Sequence, residues 1–142
     1  MYLFVCSQSL LRSRTAELLC VLGGLSARSC GTAPDAEVPV SDSLLRNADR
    51  IFCMEEHHRL LLSDFSHFGA APLHVLGIPD EFYRFDELLV ARLQAAVALH
   101  APRVASALSQ GYATFQKLPA ECRQTLSDGC ARPSKALTPA QN

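Results

Sequence analysis

The stretch Leu3-Phe-Val-Cys-Ser-Gln-Ser-Leu-Leu-Arg-Ser13 decides the fold, because it predicts a buried strand, a loop and a helix start in direct succession. Residues 2–6 form an apolar run rich in strand formers and without polar alternation, which is typical of a strand covered on both faces. Arg12 stands six positions after Cys6. Ser13 follows as a candidate cap for the helix.

The spacing Cys-x5-Arg-Ser has a direct chemical use. A loop of this length wraps its backbone N–H groups around a tetrahedral oxyanion, and the following helix directs its positive end at the same point. The guanidinium of Arg12 grips two anion oxygens. The same field favours the nucleophilic thiolate form of Cys6, and Ser13 is placed to donate a hydrogen bond to it. The spacing therefore predicts a phosphate-binding loop with a cysteine nucleophile.

The same spacing occurs a second time, at Cys53-Met-Glu-Glu-His-His-Arg59, again between a predicted strand and a predicted helix. That loop contains two glutamates, whose carboxylates repel a bound phosphate. The loop after Cys6 contains no acid, so charge favours Cys6 over Cys53. On motif and context alone, a buried structural thiol at the strand end stays open as the alternative for Cys6.

Predicted strands alternate with predicted helices along the rest of the chain. Further strands are expected at 25–30, 50–54 and 73–78, and helices at 13–22, 41–48, 55–65 and 86–100. This alternation predicts a parallel sheet covered on both faces, with the site at the carboxyl ends of the strands. Two short helices are expected near 103–110 and 120–127, the second with Pro119 in its first turn.

A thiolate that takes up a phosphoryl group needs an acid to protonate the leaving oxygen. Asp80 follows the fourth predicted strand, at the same sheet edge as the Cys6 loop if the strands are parallel. The rings of three residues supply a candidate substrate wall: Phe82, Tyr83 and Phe85. An ordinary polar loop is the alternative, and it explains Asp86 as a helix cap better than it explains Asp80.

Composition limits the class of protein. The chain has 142 residues, 49% of them hydrophobic, and a net charge of −1, which favours a single-domain globular protein over a nucleic-acid binder. No apolar run approaches the ~18 residues that span a bilayer, and residues 2–6 are too short for a signal peptide. We therefore expect a cytoplasmic protein with no nucleic-acid or membrane partner. Its six cysteines and its neighbouring His57 and His58 match no zinc spacing, and no metal is expected.

Several segments together resemble the low molecular weight protein tyrosine phosphatase family. Residues 3–13 with Thr15-Ala-Glu17 look like its amino-terminal signature. The segment Arg28-Ser-Cys-Gly-Thr32 resembles its Ser-Ala-Gly-Thr segment, and Ala48-Asp-Arg-Ile-Phe-Cys-Met54 resembles its third strand. Asp80, followed by aromatic residues and by Asp86, resembles its acid loop. The match covers roughly residues 2–100 in the right order.

The resemblance implies a three-layer α/β/α fold with a four-stranded parallel sheet, and a phosphatase-like domain over 1–100. A helical extension over 101–130 and a flexible tail over 131–142 would complete the chain. Cys6 would form the phosphocysteine, Arg12 would bind phosphate, and Asp80 would be general acid and then base. The substrate would contact Ser7, Gln8, Ser9, Leu10, Leu11, Arg12, Ser13, Phe82 and Tyr83. No cofactor is implied; the implied partners are a phosphotyrosine protein or a small aryl phosphate, with inorganic phosphate as product.

Two departures from the family pattern leave alternatives open. Gln8-Ser9 stands where the family usually has Gly-Asn, and serine adopts a left-handed backbone less readily than asparagine. Leu11 stands where many relatives have a second cysteine that traps the oxidised nucleophile. A replacement would have to come from Cys20, Cys30 or Cys53. An arsenate reductase on the same fold and a non-catalytic phosphate- or partner-binding module are therefore the alternatives.

Overall fold

Four parallel strands form one sheet in residues 1–128, the part of the chain that this computed structural model describes. In chain order the strands are β1 (Tyr2–Cys6), β2 (Ala27–Gly31), β3 (Arg50–Cys53) and β4 (Leu73–Val75). Their order in the sheet is β2-β1-β3-β4, so β1 is a central strand with a neighbour on each side. This position explains why its sequence is apolar without alternation.

Six helices accompany the sheet among the described residues. They are α1 (Arg12–Leu22), α2 (Asp42–Asn47), α3 (Glu56–Leu62), α4 (Glu87–Ala98), α5 (Pro102–Lys117) and α6 (Ala120–Asp128). Buried side chains of α1, α4 and α5 form one apolar cluster with Phe4 and Phe52, and those of α2 and α3 form another with Leu3 and Ile51. The helices therefore cover both faces of the sheet, and the predicted three-layer α/β/α fold is confirmed.

The helix caps agree with the sequence at two sites and differ at a third. The side chains of Ser41 and Asp86 accept hydrogen bonds from the backbone N–H groups of the first turns of α2 and α4, as expected. Ser13, in contrast, is not a cap. The first helix begins at Arg12 after Leu11, and no side chain caps it. The hydroxyl of Ser13 is turned toward Cys6 instead.

The helix α5 is longer than the short helix expected near residues 103–110. Gly111 lies inside it, at the place where α5 crosses α1. A Cβ atom on Gly111 would stand 1.8 Å from the carbonyl oxygen of Leu19, so only glycine permits this approach. The proline in the first turn is Pro102, whereas Pro119 precedes α6.

The carboxyl-terminal part of the chain is described only as far as residue 128. Among these residues no helix has the length and apolar character that crossing a membrane requires. The tail predicted over 131–142 lies outside the described residues, as does Cys130. The division of the chain at residue 100 stays a prediction, and α5 shares its apolar cluster with α1 and α4.

Candidate active site

Cys6 is the last residue of β1 and lies fully buried at the carboxyl edge of the sheet. Its sulfur accepts a hydrogen bond from the backbone N–H of Ser9 at 3.3 Å and lies 2.8 Å from the hydroxyl oxygen of Ser13. Ser9 belongs to the loop that follows the strand, and Ser13 to the first turn of α1. The sulfur of Cys6 is therefore held between two hydrogen-bonding groups.

Arg12 returns to the same place from the first turn of α1. Its side chain is fully buried, and one terminal nitrogen donates to the Glu55 carboxylate at 2.7 Å and to the carbonyl oxygen of Ile78, also at 2.7 Å. Its Nε lies 4.0 Å from Oδ1 of Asp80. These partners hold the guanidinium beside the loop, where it is oriented for an anion before one arrives.

Asp80 reaches the site from the loop after β4. Burial raises the pKa of its carboxyl group, and the negative charge of Glu55 acts in the same direction, while Arg12 opposes them. A raised pKa keeps the carboxyl group protonated to higher pH than an ordinary aspartate, as a general acid requires. Its Oδ1 atom is buried and has no hydrogen-bond partner among residues 1–128.

Glu55 belongs to the site, although the sequence indicated it only as a charge that repels phosphate from the second Cys-x5-Arg loop. It follows β3, which lies directly beside β1, so the two strand ends meet at one edge of the sheet. Its carboxylate neutralises the buried Arg12. No spacing in the sequence signals this pairing; it depends on the strand order.

His58 is a second residue that the sequence did not assign to the site. Its Nδ1 accepts a hydrogen bond from the backbone N–H of Glu55 at 3.0 Å, so its Nε2 carries the proton. That nitrogen lies 3.0 Å from the hydroxyl of Ser7, to which it donates. Burial, aided by the charges of His57 and Arg12, lowers the pKa of His58 to about 3. The ring is therefore neutral near pH 7 and ties the Cys6 loop to the start of α3.

The loop backbone is supported at its least favourable position. Ser9 has a φ angle of +61°, in the left-handed region that the family pattern implies for this site. Its hydroxyl lies 3.2 Å from that of Ser29, which in turn donates to Glu17. Next to it, the side-chain amide of Gln8 donates to Asp35 at 3.3 Å. These contacts come from β2, from α1 and from the loop that follows β2, and they hold the loop after Cys6 in place.

No protein-family model matches the chain, and no curated protein matches it by sequence. Solved structures do match. The tyrosine phosphatase Wzb from Escherichia coli K30, in complex with phosphate, is 20% identical with a TM-score of 0.54 over 75% of this chain and 90% of that one. The chain has the fold of the low molecular weight protein tyrosine phosphatases.

Two further structures show the same phosphatase fold. A low molecular weight protein tyrosine phosphatase from Bacillus subtilis is 18% identical, with a TM-score of 0.50 over 82% of this chain and 97% of that one. Vibrio vulnificus Wzb in complex with benzylphosphonate is 16% identical, with a TM-score of 0.50 over 81% and 93% of the two chains. The resemblance in the sequence is thus confirmed for the fold.

The three residues of the predicted aromatic wall differ in their exposure to solvent. Tyr83 is exposed and therefore available to a ligand. Phe82 is buried, with the guanidinium of Arg92 5.6 Å from its ring centre. The prediction was wrong for Phe85. Its ring packs in the apolar cluster and stacks on Phe115, with 4.1 Å between ring centres, so it anchors the loop of Asp80 to the core.

Two of the thiols named as possible partners of Cys6 lie on the other face of the sheet. Cys30 and Cys53 are both in register with Val5, so their side chains share the sheet face opposite to that of Cys6. They are two strand spacings apart, about 9.6 Å, which is too far for a disulfide. Burial raises the pKa of Cys53 and of Cys20 to about 12, as expected for inert structural thiols.

Within residues 1–128, one group of side chains has ligand atoms close enough for a metal ion. Glu55, His57 and His58 offer such atoms within 4.8 Å of one another. Both ring nitrogens of His58 are already in hydrogen bonds, however, and Glu55 is paired with Arg12. A cation here would have to displace these contacts and would remove the partner of a buried arginine. We therefore assign the group to loop support.

Proposed function

We propose that this chain is a protein tyrosine phosphatase that hydrolyses aryl phosphomonoesters through a phosphocysteine intermediate. The observation that carries the proposal is the convergence of Cys6, Arg12 and Asp80 at one sheet edge, with the carboxyl group 4.0 Å from the guanidinium. These are the nucleophile, the anion-binding group and the acid that the reaction requires. The loop N–H groups and Arg12 supply positive charge for the transferring phosphoryl group, so the proposed mechanism needs no metal.

The reaction proceeds in two steps. The thiolate of Cys6 attacks phosphorus and the P–O bond to the aryl group breaks, while the carboxyl group of Asp80 gives its proton to the leaving oxygen. Water then attacks the phosphocysteine. The carboxylate of Asp80 takes a proton from this water, the S–P bond breaks, and inorganic phosphate and the thiolate are released. Ser13 stabilises the thiolate in both steps through its hydroxyl group.

Two structural neighbours support a phosphate-containing substrate. The Escherichia coli Wzb structure contains phosphate, and the Vibrio vulnificus Wzb structure contains benzylphosphonate. The latter ligand joins a ring to a phosphonate group, which is the chemistry we propose for the substrate of this chain. Tyr83 is then the exposed ring nearest in sequence to Asp80 that can stack on an aryl group. A cytoplasmic location stays a prediction.

The proposal is tested by hydrolysis of p-nitrophenyl phosphate in the presence of EDTA. We expect Cys6→Ser to lower kcat by at least about a thousandfold, because a serine hydroxyl is not ionised at neutral pH. Cys122→Ser, at an exposed thiol on α6, is the matched control and should keep wild-type activity. Wild-type hydrolysis no greater than that of Cys6→Ser would refute the enzyme assignment.

The role of Asp80 is tested separately with two leaving groups. Asp80→Asn should slow hydrolysis of phenyl phosphate by about a hundredfold and that of p-nitrophenyl phosphate much less, because nitrophenolate leaves without a proton. Equal slowing of both substrates would remove Asp80 as the acid.

The alternative activities give different results. An arsenate reductase needs two further thiols near Cys6, and Cys30 and Cys53 face the opposite side of the sheet. Thiol-dependent arsenite release without phosphatase turnover would nevertheless establish it. A non-catalytic module would bind phosphate in calorimetry with no turnover.

A further inference from the structure

Arg84 connects three parts of the molecule, its own loop, the loop after Cys6 and α6, through hydrogen bonds of one side chain. It lies in the loop between Asp80 and α4 and is 92% buried, its exposed fraction being 8%. Its Nε and one terminal nitrogen both donate to the carbonyl oxygen of Leu10, at 3.0 and 2.6 Å. The other terminal nitrogen donates to the carbonyl oxygen of Leu126 on α6, at 2.9 Å.

The contact with Leu10 acts on the backbone of the phosphate-binding loop. Leu10 is the fourth residue after Cys6, and its carbonyl group belongs to the peptide unit whose N–H is that of Leu11. A trans peptide is planar, so fixing the direction of the carbonyl group fixes the opposite direction of the N–H. Two charge-assisted donors also polarise the peptide unit and make its N–H a stronger donor.

The contact with α6 holds the guanidinium in place. Leu126 is among the last four residues that the structure describes in α6, and its carbonyl oxygen accepts a charge-assisted hydrogen bond from Arg84. The side chain of Leu126 packs on the apolar cluster, so α6 is anchored where Arg84 reaches it.

From this geometry we infer that Arg84 is a positioning residue that orients the Leu10–Leu11 peptide for anion binding at Cys6. The inference rests on the proposed phosphate site. It adds Arg84, from the loop that carries Asp80, as a residue that acts through the backbone of the Cys6 loop without touching the anion. The planar fork is essential to it, because only a guanidinium gives two parallel donors to one carbonyl oxygen and a third to another. A lysine in this position keeps the charge and loses the fork.

The test measures inorganic phosphate binding by calorimetry at pH 7, with thermal unfolding measured alongside. We expect Arg84→Lys to weaken phosphate binding at least tenfold, about 1.4 kcal/mol, and Arg84→Met to weaken it further. The matched control is Arg103→Lys, at an exposed arginine on α5, which should bind phosphate as the wild type does. Binding is measured because turnover also depends on Asp80, which lies in the same loop.

The outcomes separate this inference from the proposed function. Phosphate affinity unchanged in a folded Arg84→Lys variant, with only the midpoint of thermal unfolding lowered, would overturn it and leave the phosphatase proposal intact. Phosphate binding without hydrolysis in the wild type would refute the phosphatase proposal, and the comparison of Arg84 variants would still decide the positioning role. A wild type that binds no phosphate would overturn both.

Discussion

Replacing His58 by glutamine should remove an acid-sensitive part of the protein's stability. The folded-state pKa of His58 is about 3, whereas the ordinary value is 6.5. As pH falls below 6.5, the unfolded chain binds a proton at this residue and the folded protein does not. The stability that depends on a neutral His58 is therefore present above pH 6.5 and is lost as the pH falls towards 3.

The size of the effect follows from the two pKa values. Between pH 7 and pH 5 the unfolded state gains about 2 kcal/mol from protonation of this one histidine, while the folded state gains almost nothing. Glutamine does not titrate and is a usual residue at this third helical position, where its side-chain oxygen accepts from the N–H that His58 Nδ1 now binds. We therefore expect His58→Gln to fold. Between pH 7 and pH 5 its free energy of unfolding should fall by about 2 kcal/mol less than that of the wild type.

The assay is urea unfolding at pH 7 and at pH 5. The control is Arg103→Lys, an exposed substitution on α5 that changes no histidine and should keep the pH dependence of the wild type. The reasoning would be refuted if wild type and His58→Gln lost the same free energy of unfolding between the two pH values.

Three further predictions concern the backbone and the electrostatics. Gly111→Ala should lower the free energy of unfolding by about 2 kcal/mol or more in urea titrations, because its Cβ would clash with the Leu19 carbonyl oxygen; unchanged stability would contradict the crossing of α1 and α5. Ser9→Gly should unfold at a temperature at least as high as Ser9→Ala, reversing the usual order, since both variants lose the hydroxyl and only alanine is strained at φ +61°. Glu55→Gln should move the alkaline limb of the pH profile of kcat to lower pH, because the charge of Glu55 helps to raise the pKa of Asp80. An unchanged limb would show that Glu55 has no effect on the ionisation of Asp80.

The architecture was predictable because the signals that define it are local. Apolar runs without alternation and helices with an apolar stripe are short-range patterns, and their alternation leaves a parallel sheet as the compact solution. The extent of α5 was not predictable in this way. A glycine such as Gly111 ordinarily indicates the end of a helix. Here glycine is required inside α5 because the carbonyl group of Leu19, 92 positions earlier in the chain, leaves no room for a Cβ atom.

The candidate site was predictable only in part. Cys6, Arg12 and Ser13 are close in the sequence, so their spacing indicates an anion loop before any tertiary contact is known. Asp80 could be placed at the same sheet edge only by assuming parallel strands, and its distance from Arg12 is a property of the folded chain.

The sequence by itself thus determined the sheet and predicted the anion-binding loop and the preference for Cys6 over Cys53, because loop length, apolar pattern and local charge are fixed by neighbouring residues. Only the tertiary structure decided that Glu55 pairs with Arg12, that His58 holds Ser7 and that Arg84 holds the Leu10 carbonyl. Each of these contacts joins residues far apart in the chain. They exist because parallel strands bring their carboxyl ends, and the loops that follow, to one edge of the sheet.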